Sequence, residues 1–248
     1  MKRLEGKVAL VTGSARGIGA AIAERLAADG AAVAVNYSKS AGEAEEVASR
    51  IRQAGGEAIV LEADVGDWSQ AKSLVERTAR EFGRFDILVN NAAAIRFQPF
   101  AEIDEAELRL QLAVNLEGPI ATTQAAVALF PKEGGRVINI SSLAALHPVA
   151  GNTVYTASKI ALEGMTRVCA VELGPRGVTV NVVAPGLTET DAMRDNLTDD
   201  IRKVMIDRTP LRRVGAPSDI ADVVAFLASP DARWITGQVL MATGGFTP

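Results

Sequence analysis

Tyr155 stands one helical turn before Lys159 in the stretch NTVYTASKIALEG, residues 152–164, and is one of only 2 tyrosines in the chain. A free phenol titrates near a pKa of about 10, and each unit of lowering stabilises the phenolate by about 1.4 kcal/mol. Residues i and i+4 share a helix face, so this spacing lets the Lys159 ammonium reach the phenol oxygen. An opposite charge that close favours the ionised form and would ready Tyr155 to exchange protons nearer neutrality. Alone, the same pair is also an ordinary solvated helix face with a snorkelling lysine. A second chemical feature lies near the amino terminus, where Thr12 to Gly19 reads TGSARGIG. Glycines at 13, 17 and 19 let backbone approach a pyrophosphate and let the next helix aim its first N–H groups at the anion. Any tight strand-to-helix turn also uses glycine, so the pattern draws its force from its place directly after the apolar run KVALV.

These residues need a scaffold. Short β-branched runs occupy 7–13, 31–36, 57–63, 86–90, 135–141, 178–186 and 238–245. Between them, helical composition covers about 17–29, 40–54, 67–82, 104–128, 153–173 and 218–228. Continuously apolar strands imply a sheet covered on both faces, and strand–helix alternation implies parallel order with right-handed crossovers. The expected fold is α/β: a single-domain doubly wound (Rossmann-type) parallel sheet of about seven strands with helices on both faces, spanning residues 1–248. Ligands of such sheets lie beyond the carboxyl ends of the strands, where the glycine loop falls. The stretch at about 187–215 lacks a strong period and reads as a substrate lid, with a solvated helical hairpin as the other reading.

From about residue 5 to 245 the chain resembles the short-chain dehydrogenases/reductases. The resemblance is carried by the glycine loop, NNAA at 90–93, Asn115 within VNLEG, Ser142 within NISS, the pair Tyr155 and Lys159, and PGLTET at 185–190. Within that family the chain is similar to 3-oxoacyl-acyl-carrier-protein reductases and to sugar or polyol dehydrogenases. The resemblance implies hydride transfer between a nicotinamide and a carbonyl or secondary alcohol, with Tyr155 as general acid in reduction and base in oxidation. It further implies that Lys159 lowers the phenol pKa and holds the nicotinamide ribose, and that Ser142 bonds the substrate carbonyl. Asn115, expected inside the long helix, would anchor a water chain that reprotonates the lysine.

For the cofactor, the resemblance implies contacts from Gly13, Ser14, Arg16, Gly17, Ile18 and Gly19 in the first loop. Others come from Asn36, Tyr37 and Ser38 after the second strand, Asp64 and Val65 at the adenine, and Asn91, Ala92 and Ala93 beside the ribose. Tyr155, Lys159, Pro185, Gly186, Thr188 and Thr190 complete the set. An NAD enzyme needs a carboxylate at the end of the second strand, and this chain has Asn36-Tyr37-Ser38-Lys39 there. Arg16 can pair with a 2′-phosphate, so NADP(H) is preferred and NAD(H) stays open. Asp64 as a plain helix cap is the rival to its adenine role. Two residues depart from the family pattern: Ala93 replaces a glycine, and Thr243 replaces a common aspartate. The first would weaken binding if that position requires φ > 0.

Composition narrows the remaining classes. The chain has 248 residues, 48% of them hydrophobic, and a net charge of −4 with scattered Lys and Arg, which argues against nucleic acid and anionic membranes as partners. A single cysteine, Cys169, excludes an internal disulfide and reads as a small buried hydrophobe; without an export signal, a cytoplasmic location is expected. The single histidine, His147, has no cluster of partners, so no metal is expected; contact with substrate and plain solvation are its two readings. Met193, Leu197 and Met205 could line an apolar substrate wall or serve as core. The resemblance implies a small carbonyl or alcohol substrate and a homo-oligomer, a tetramer joined through the helices at about 104–128 and 153–173. An NAD-linked dehydrogenase using the same residues and a non-catalytic nucleotide sensor are the alternatives.

Overall fold

The computed structural model describes residues 2–190 and 198–246. Its strands are β1 (Val8–Val11), β2 (Ala32–Tyr37), β3 (Glu57–Glu62), β4 (Ile87–Asn90), β5 (Arg136–Ile140), β6 (Thr179–Pro185) and β7 (Val239–Ala242). They form one 7-stranded sheet in the order β3-β2-β1-β4-β5-β6-β7, and every pairing is parallel. The order reverses between β1 and β4, which opens a crevice at their carboxyl ends.

Among the described residues, the helices are α1 (Gly17–Ala28), α2 (Ala41–Gln53), α3 (Trp68–Phe82), α4 (Glu105–Leu112), α5 (Gly118–Leu129), α6 (Thr153–Leu173), α7 (Asp199–Arg208) and α8 (Pro217–Ala228). Side chains alternate along each central strand, so each strand feeds two cores. Ala9, Val11, Ile87, Val89, Ile138 and Ile140 join Ile22, Leu26, Val47, Val224 and Leu227 in the layer under α1, α2 and α8. Leu10, Leu88, Val137 and Val180 face the other way, against Leu74, Val75, Phe85 and Phe130. Every residue of β1, β4 and β6 is buried, which explains why these strands are mainly apolar on both faces. The edge strands β3 and β7 are only partly covered.

The single helix expected over about 104–128 is two helices joined by a π-helical turn, Ala113–Glu117. Asp104 opens α4 by accepting from the Glu107 N–H at 2.8 Å. Pro119 has no N–H, so the Asn115 carbonyl has no i+4 donor, and the ladder shifts register just there. At the opposite end of the sheet, the buried Asp86 ties β1 to β4. It accepts from the Val8 N–H at 3.0 Å, Arg84 at 2.6 Å and Lys7 at 3.1 Å. Burial alone would raise its pKa, but these three donors hold the carboxyl below its usual range.

Candidate active site

The glycine loop is built by close approach. Gly13 and Gly17 have φ of +60° and +58°, and a Cβ on Gly13 would lie 2.8 Å from Ala92 Cα. Polar side chains fasten this loop to its neighbours. Thr12 Oγ1 accepts from the N–H groups of Asn91 and Ala92 at 3.0 Å, and Asn91 Nδ2 donates to the carbonyls of Thr12 and Gly13 at 2.9 Å. Asn36 Oδ1 accepts from the Gly13 N–H at 3.0 Å, while its Nδ2 donates to the Tyr37, Leu61 and Ala63 carbonyls. Ser14 Oγ donates to the Val11 carbonyl at 2.7 Å and accepts from the Asn36 N–H at 3.0 Å. Ser14 and Asn36 therefore use these polar atoms to hold the cradle together. Thr12, which the sequence reading passed over, is a third brace.

The braced loop opens on a cleft of about 560 Å³ at the carboxyl ends of β1, β2 and β4. Gly13, Arg16, Gly17, Ile18, Gly19, Asn36, Tyr37, Ser38, Lys39, Asp64, Val65 and the run Asn91 to Ile95 line it, with Thr190 closing one side. Arg16 and Lys39 are exposed, and Asp64 is the single carboxylate among the lining residues. Asp64 accepts from the Gly66 N–H at 2.9 Å, whereas Asp67 is the cap of α3, accepting from Gln70 at 2.8 Å. Ala93 does not have a positive φ, so its methyl strains nothing there. Helix α1 starts at the cleft without an acidic residue in its first turn. Glycines that tolerate no Cβ, a helix N-terminus and two rim cations fit an anionic dinucleotide. A second depression, about 340 Å³ near Lys2, Gly30 and Arg84, lies at the amino ends of the strands, away from this chemistry.

Beyond the Ala94 end of the cleft stand the expected catalytic residues. Asn115 is fully buried in the π turn. Its Nδ2 donates to the Ala94 carbonyl at 2.8 Å and to Ser158 Oγ at 3.1 Å, and its Oδ1 accepts from the Ala94 N–H at 2.8 Å. The side chain thus locks the cleft wall to α6, with both amide hydrogens committed. Ser142 follows β5 and caps the short turn Leu143–Ala145, its Oγ accepting from the Ala144 N–H at 3.1 Å. Burial pushes the Tyr155 phenol pKa up, and the neighbouring Ser142 hydroxyl opposes it.

Lys159 shares the Tyr155 face: its Nζ lies over the ring, 5.5 Å from the centroid, and donates to the Ile140 carbonyl at 2.8 Å. A buried ammonium needs an acceptor, and the end of β5 supplies one. Burial lowers the Lys159 pKa to about 8. Behind these groups, Thr122 Oγ1 donates to Asn90 Oδ1 at 2.7 Å, Asn90 Nδ2 to Asn139 Oδ1 at 2.9 Å, and Asn139 Nδ2 to Thr166 Oγ1 at 2.8 Å. This buried chain joins α5, β4, β5 and α6. Alternating Asn and Thr in apolar strands and helices was its signal in the sequence.

Of the expected PGLTET contacts, only Thr190 lines the cleft. Pro185 ends β6 in the buried sheet, the Gly186 N–H donates to the Ala242 carbonyl at 2.9 Å, and Thr188 Oγ1 donates to the Gly186 carbonyl at 3.0 Å. Thr188 also bridges Gly215, closing the base of the 187–215 segment. Met193 and Leu197 lie outside the described residues, and Met205 is half-buried on α7, away from the cleft lining. His147 packs edge-on against Phe246, with ring centroids 5.6 Å apart. Thr243 Oγ1 holds the Phe246 carbonyl at 3.4 Å, and Cys169 is half-buried rather than enclosed. No helix among the described residues is long and apolar enough to cross a membrane.

A braced dinucleotide cradle and a Ser-Tyr-Lys group at the carboxyl ends of one parallel sheet define a nucleotide-dependent oxidoreductase. The family model described as enoyl-(acyl carrier protein) reductase matches residues 13–247. An uncharacterized oxidoreductase of Methylorubrum extorquens is 47% identical, covering 99% of both chains. A 3-oxoacyl-[acyl-carrier-protein] reductase of Staphylococcus aureus is 40% identical over 96% of this chain and 97% of its own. The crystal structure of a blue fluorescent protein from a metagenomic library in complex with NADPH superposes with a TM-score of 0.94 at 41% identity, covering 99% of this chain and 100% of that one. The chain belongs to the short-chain dehydrogenase/reductase family.

Proposed function

We propose that the protein is an NADP(H)-dependent carbonyl reductase in which Tyr155 is the general acid, and the base in the reverse direction. The observation that carries this reading is the buried Lys159 Nζ lying 5.5 Å from the centroid of the Tyr155 ring, with Ser142 beside the phenol. Ser142 and Tyr155 would both bond the substrate oxygen, Ser142 stabilising its developing charge and Tyr155 delivering the proton. Lys159, positively charged below its pKa of about 8, would stabilise the phenolate left behind. Asn115, in the π turn, would anchor the water that reprotonates the lysine. When bound, the nicotinamide supplies the hydride. A hydroxyl pair aimed at one oxygen suits a carbonyl better than the carbon–carbon double bond that the matching family description names.

NADP(H) is favoured over NAD(H) because Arg16 and Lys39 stand at the rim near Tyr37 and Ser38. The nearest acid on β2's neighbour, Glu62, accepts from the Tyr37 hydroxyl at 3.3 Å and is not part of the cleft lining. The NADPH held by the metagenomic relative agrees with this choice. Residues 187–215 would act as the substrate lid, anchored by Thr188 to Gly215 and by the Glu189–Arg202 ion pair at 2.7 Å. Exposed Leu110 on α4 and Ile160, Val168 and Val171 on α6 suit a homotetramer packed through those helices. The lone Cys169 suits a reducing cytoplasm. Replacing Tyr155 by Phe should abolish turnover of ketones while NADPH binding, followed by its fluorescence, stays within about twofold. Retained turnover would overturn the mechanism.

A further inference from the structure

We infer that the substrate is an uncharged ketone with an apolar body, selected by side chains of the two loops that follow β4 and β5. This rests on the carbonyl-reductase reading above. The loop after β5 runs from Ser142 to the start of α6, and His147 is the only ionisable side chain between Ser142 and Tyr155. Within that loop Leu146 is 60% exposed and Val149 53% exposed. The loop after β4 brings Phe97, 53% exposed, alongside, because the Gln98 N–H donates to the Gly151 carbonyl at 2.9 Å. Gly151 has φ +81°, a conformation that favours glycine, and a Cβ there would meet the Gln98 backbone only at ordinary contact distance. His147 is itself covered on one side by Phe246.

Large apolar side chains on short loops gain nothing by facing water, and three of them on the loops that follow β4 and β5 mark a surface meant to be covered. Among the described residues, the charged side chains of these two loops are Arg96, Glu102 and Asp104. Arg96, the cation of the β4 loop, leans on the buried Glu107 at 3.4 Å. A carboxylate or phosphate on the substrate would have to lose its water against Phe97, Leu146 and Val149 without a committed counter-charge, whereas an alkyl or aryl body would be buried at a gain.

The test uses two ketones of one skeleton: a cyclohexanone carrying a tert-butyl group opposite the carbonyl, and its analogue carrying a carboxylate there. Affinity of each for the enzyme–NADP⁺ complex is measured by calorimetry, and turnover by NADPH absorbance. The tert-butyl ketone should bind at least about tenfold more tightly and give the higher kcat/KM. Phe97→Ala and Val149→Ser should each raise KM for it about three- to tenfold, leaving NADPH affinity and the mass by light scattering unchanged. Equal or tighter binding of the carboxylate would overturn the proposal while leaving the reductase reading in place. A smaller assembly with KM unaltered would also overturn it, making these side chains a subunit contact. Tight binding of the tert-butyl ketone with no turnover would uphold the apolar site and overturn the reductase reading instead.

Discussion

Lys159 lies over the ring of Tyr155, 5.5 Å from its centroid, and donates its proton to the Ile140 carbonyl rather than to the phenol oxygen. The ammonium is therefore close enough to act on the phenolate through space and is held in place by the sheet. Its pKa of about 8 makes that action pH-dependent in a way that can be measured.

Below pH 8 Lys159 is charged and supports the phenolate left by proton delivery; above it the charge goes. The kcat/KM for ketone reduction should fall as pH rises through about 8, and Lys159→Met should lower it about a hundredfold or more at neutral pH. Stability moves oppositely. The folded pKa is below the 10.5 of the free side chain, so the buried charge costs stability fully below about pH 8, and the cost is relieved as pH rises toward 10.5. Lys159→Met should thus unfold at higher temperature than the parent at pH 7, with the gap narrowing as pH rises. A Lys159→Met midpoint below the parent's at pH 7 would contradict this.

Arg16 is exposed at the cleft rim and caps the start of α1 through its backbone alone. Arg16→Ala should weaken NADPH binding by about tenfold or more and leave NADH nearly untouched, as expected for loss of a charge-assisted phosphate contact. Fluorescence titration with both nucleotides checks it; equal losses for the two would assign Arg16 to the shared pyrophosphate.

At the end of β2, Asn36 occupies the position of an NAD enzyme's acid in sequence, but its amide is buried and donates to 3 carbonyls. Asn36→Asp would set a carboxylate against those carbonyls. It should cost about 2–4 kcal/mol of stability and weaken both nucleotides, without creating NADH preference. The exposed-side change Tyr37→Asp is the one expected to improve NADH relative to NADPH. Chemical denaturation with paired titrations separates these outcomes.

Asp86 binds β1 and β4 at the end of the sheet away from the chemistry. Its folded pKa is depressed, so its contribution is present above the ordinary carboxylate range and is lost as pH falls through the lowered value. Asp86→Ala should destabilise the fold by about 3 kcal/mol at neutral pH, with the difference from the parent shrinking in acid, and leave KM unchanged. Urea unfolding at pH 7 and pH 3 measures both parts.

The sheet was legible because continuous apolar runs such as Val8 to Val11 can only be strands covered on both faces. The glycine loop and the Tyr155–Lys159 face were legible because each has a fixed spacing. The π turn was hidden: its cause, Pro119 four residues past Asn115, is a backbone effect inside a stretch of helical composition. The roles of Ser14 and Asn36 were hidden as well, since a polar residue in a ligand loop looks the same whether its atoms face the ligand or a neighbouring strand. Only coordinates show that Lys159 takes the Ile140 carbonyl as its partner.

The buried relay from Thr122 through Asn90 and Asn139 to Thr166 fuses the roots of two strands and two helices into one rigid block. Specificity loops planted on such a foundation can be lengthened, shortened or resurfaced while the proton donor keeps its aim. The architecture therefore separates what an ancestor could afford to vary from what it had to keep, and new substrates become reachable by editing the rim alone.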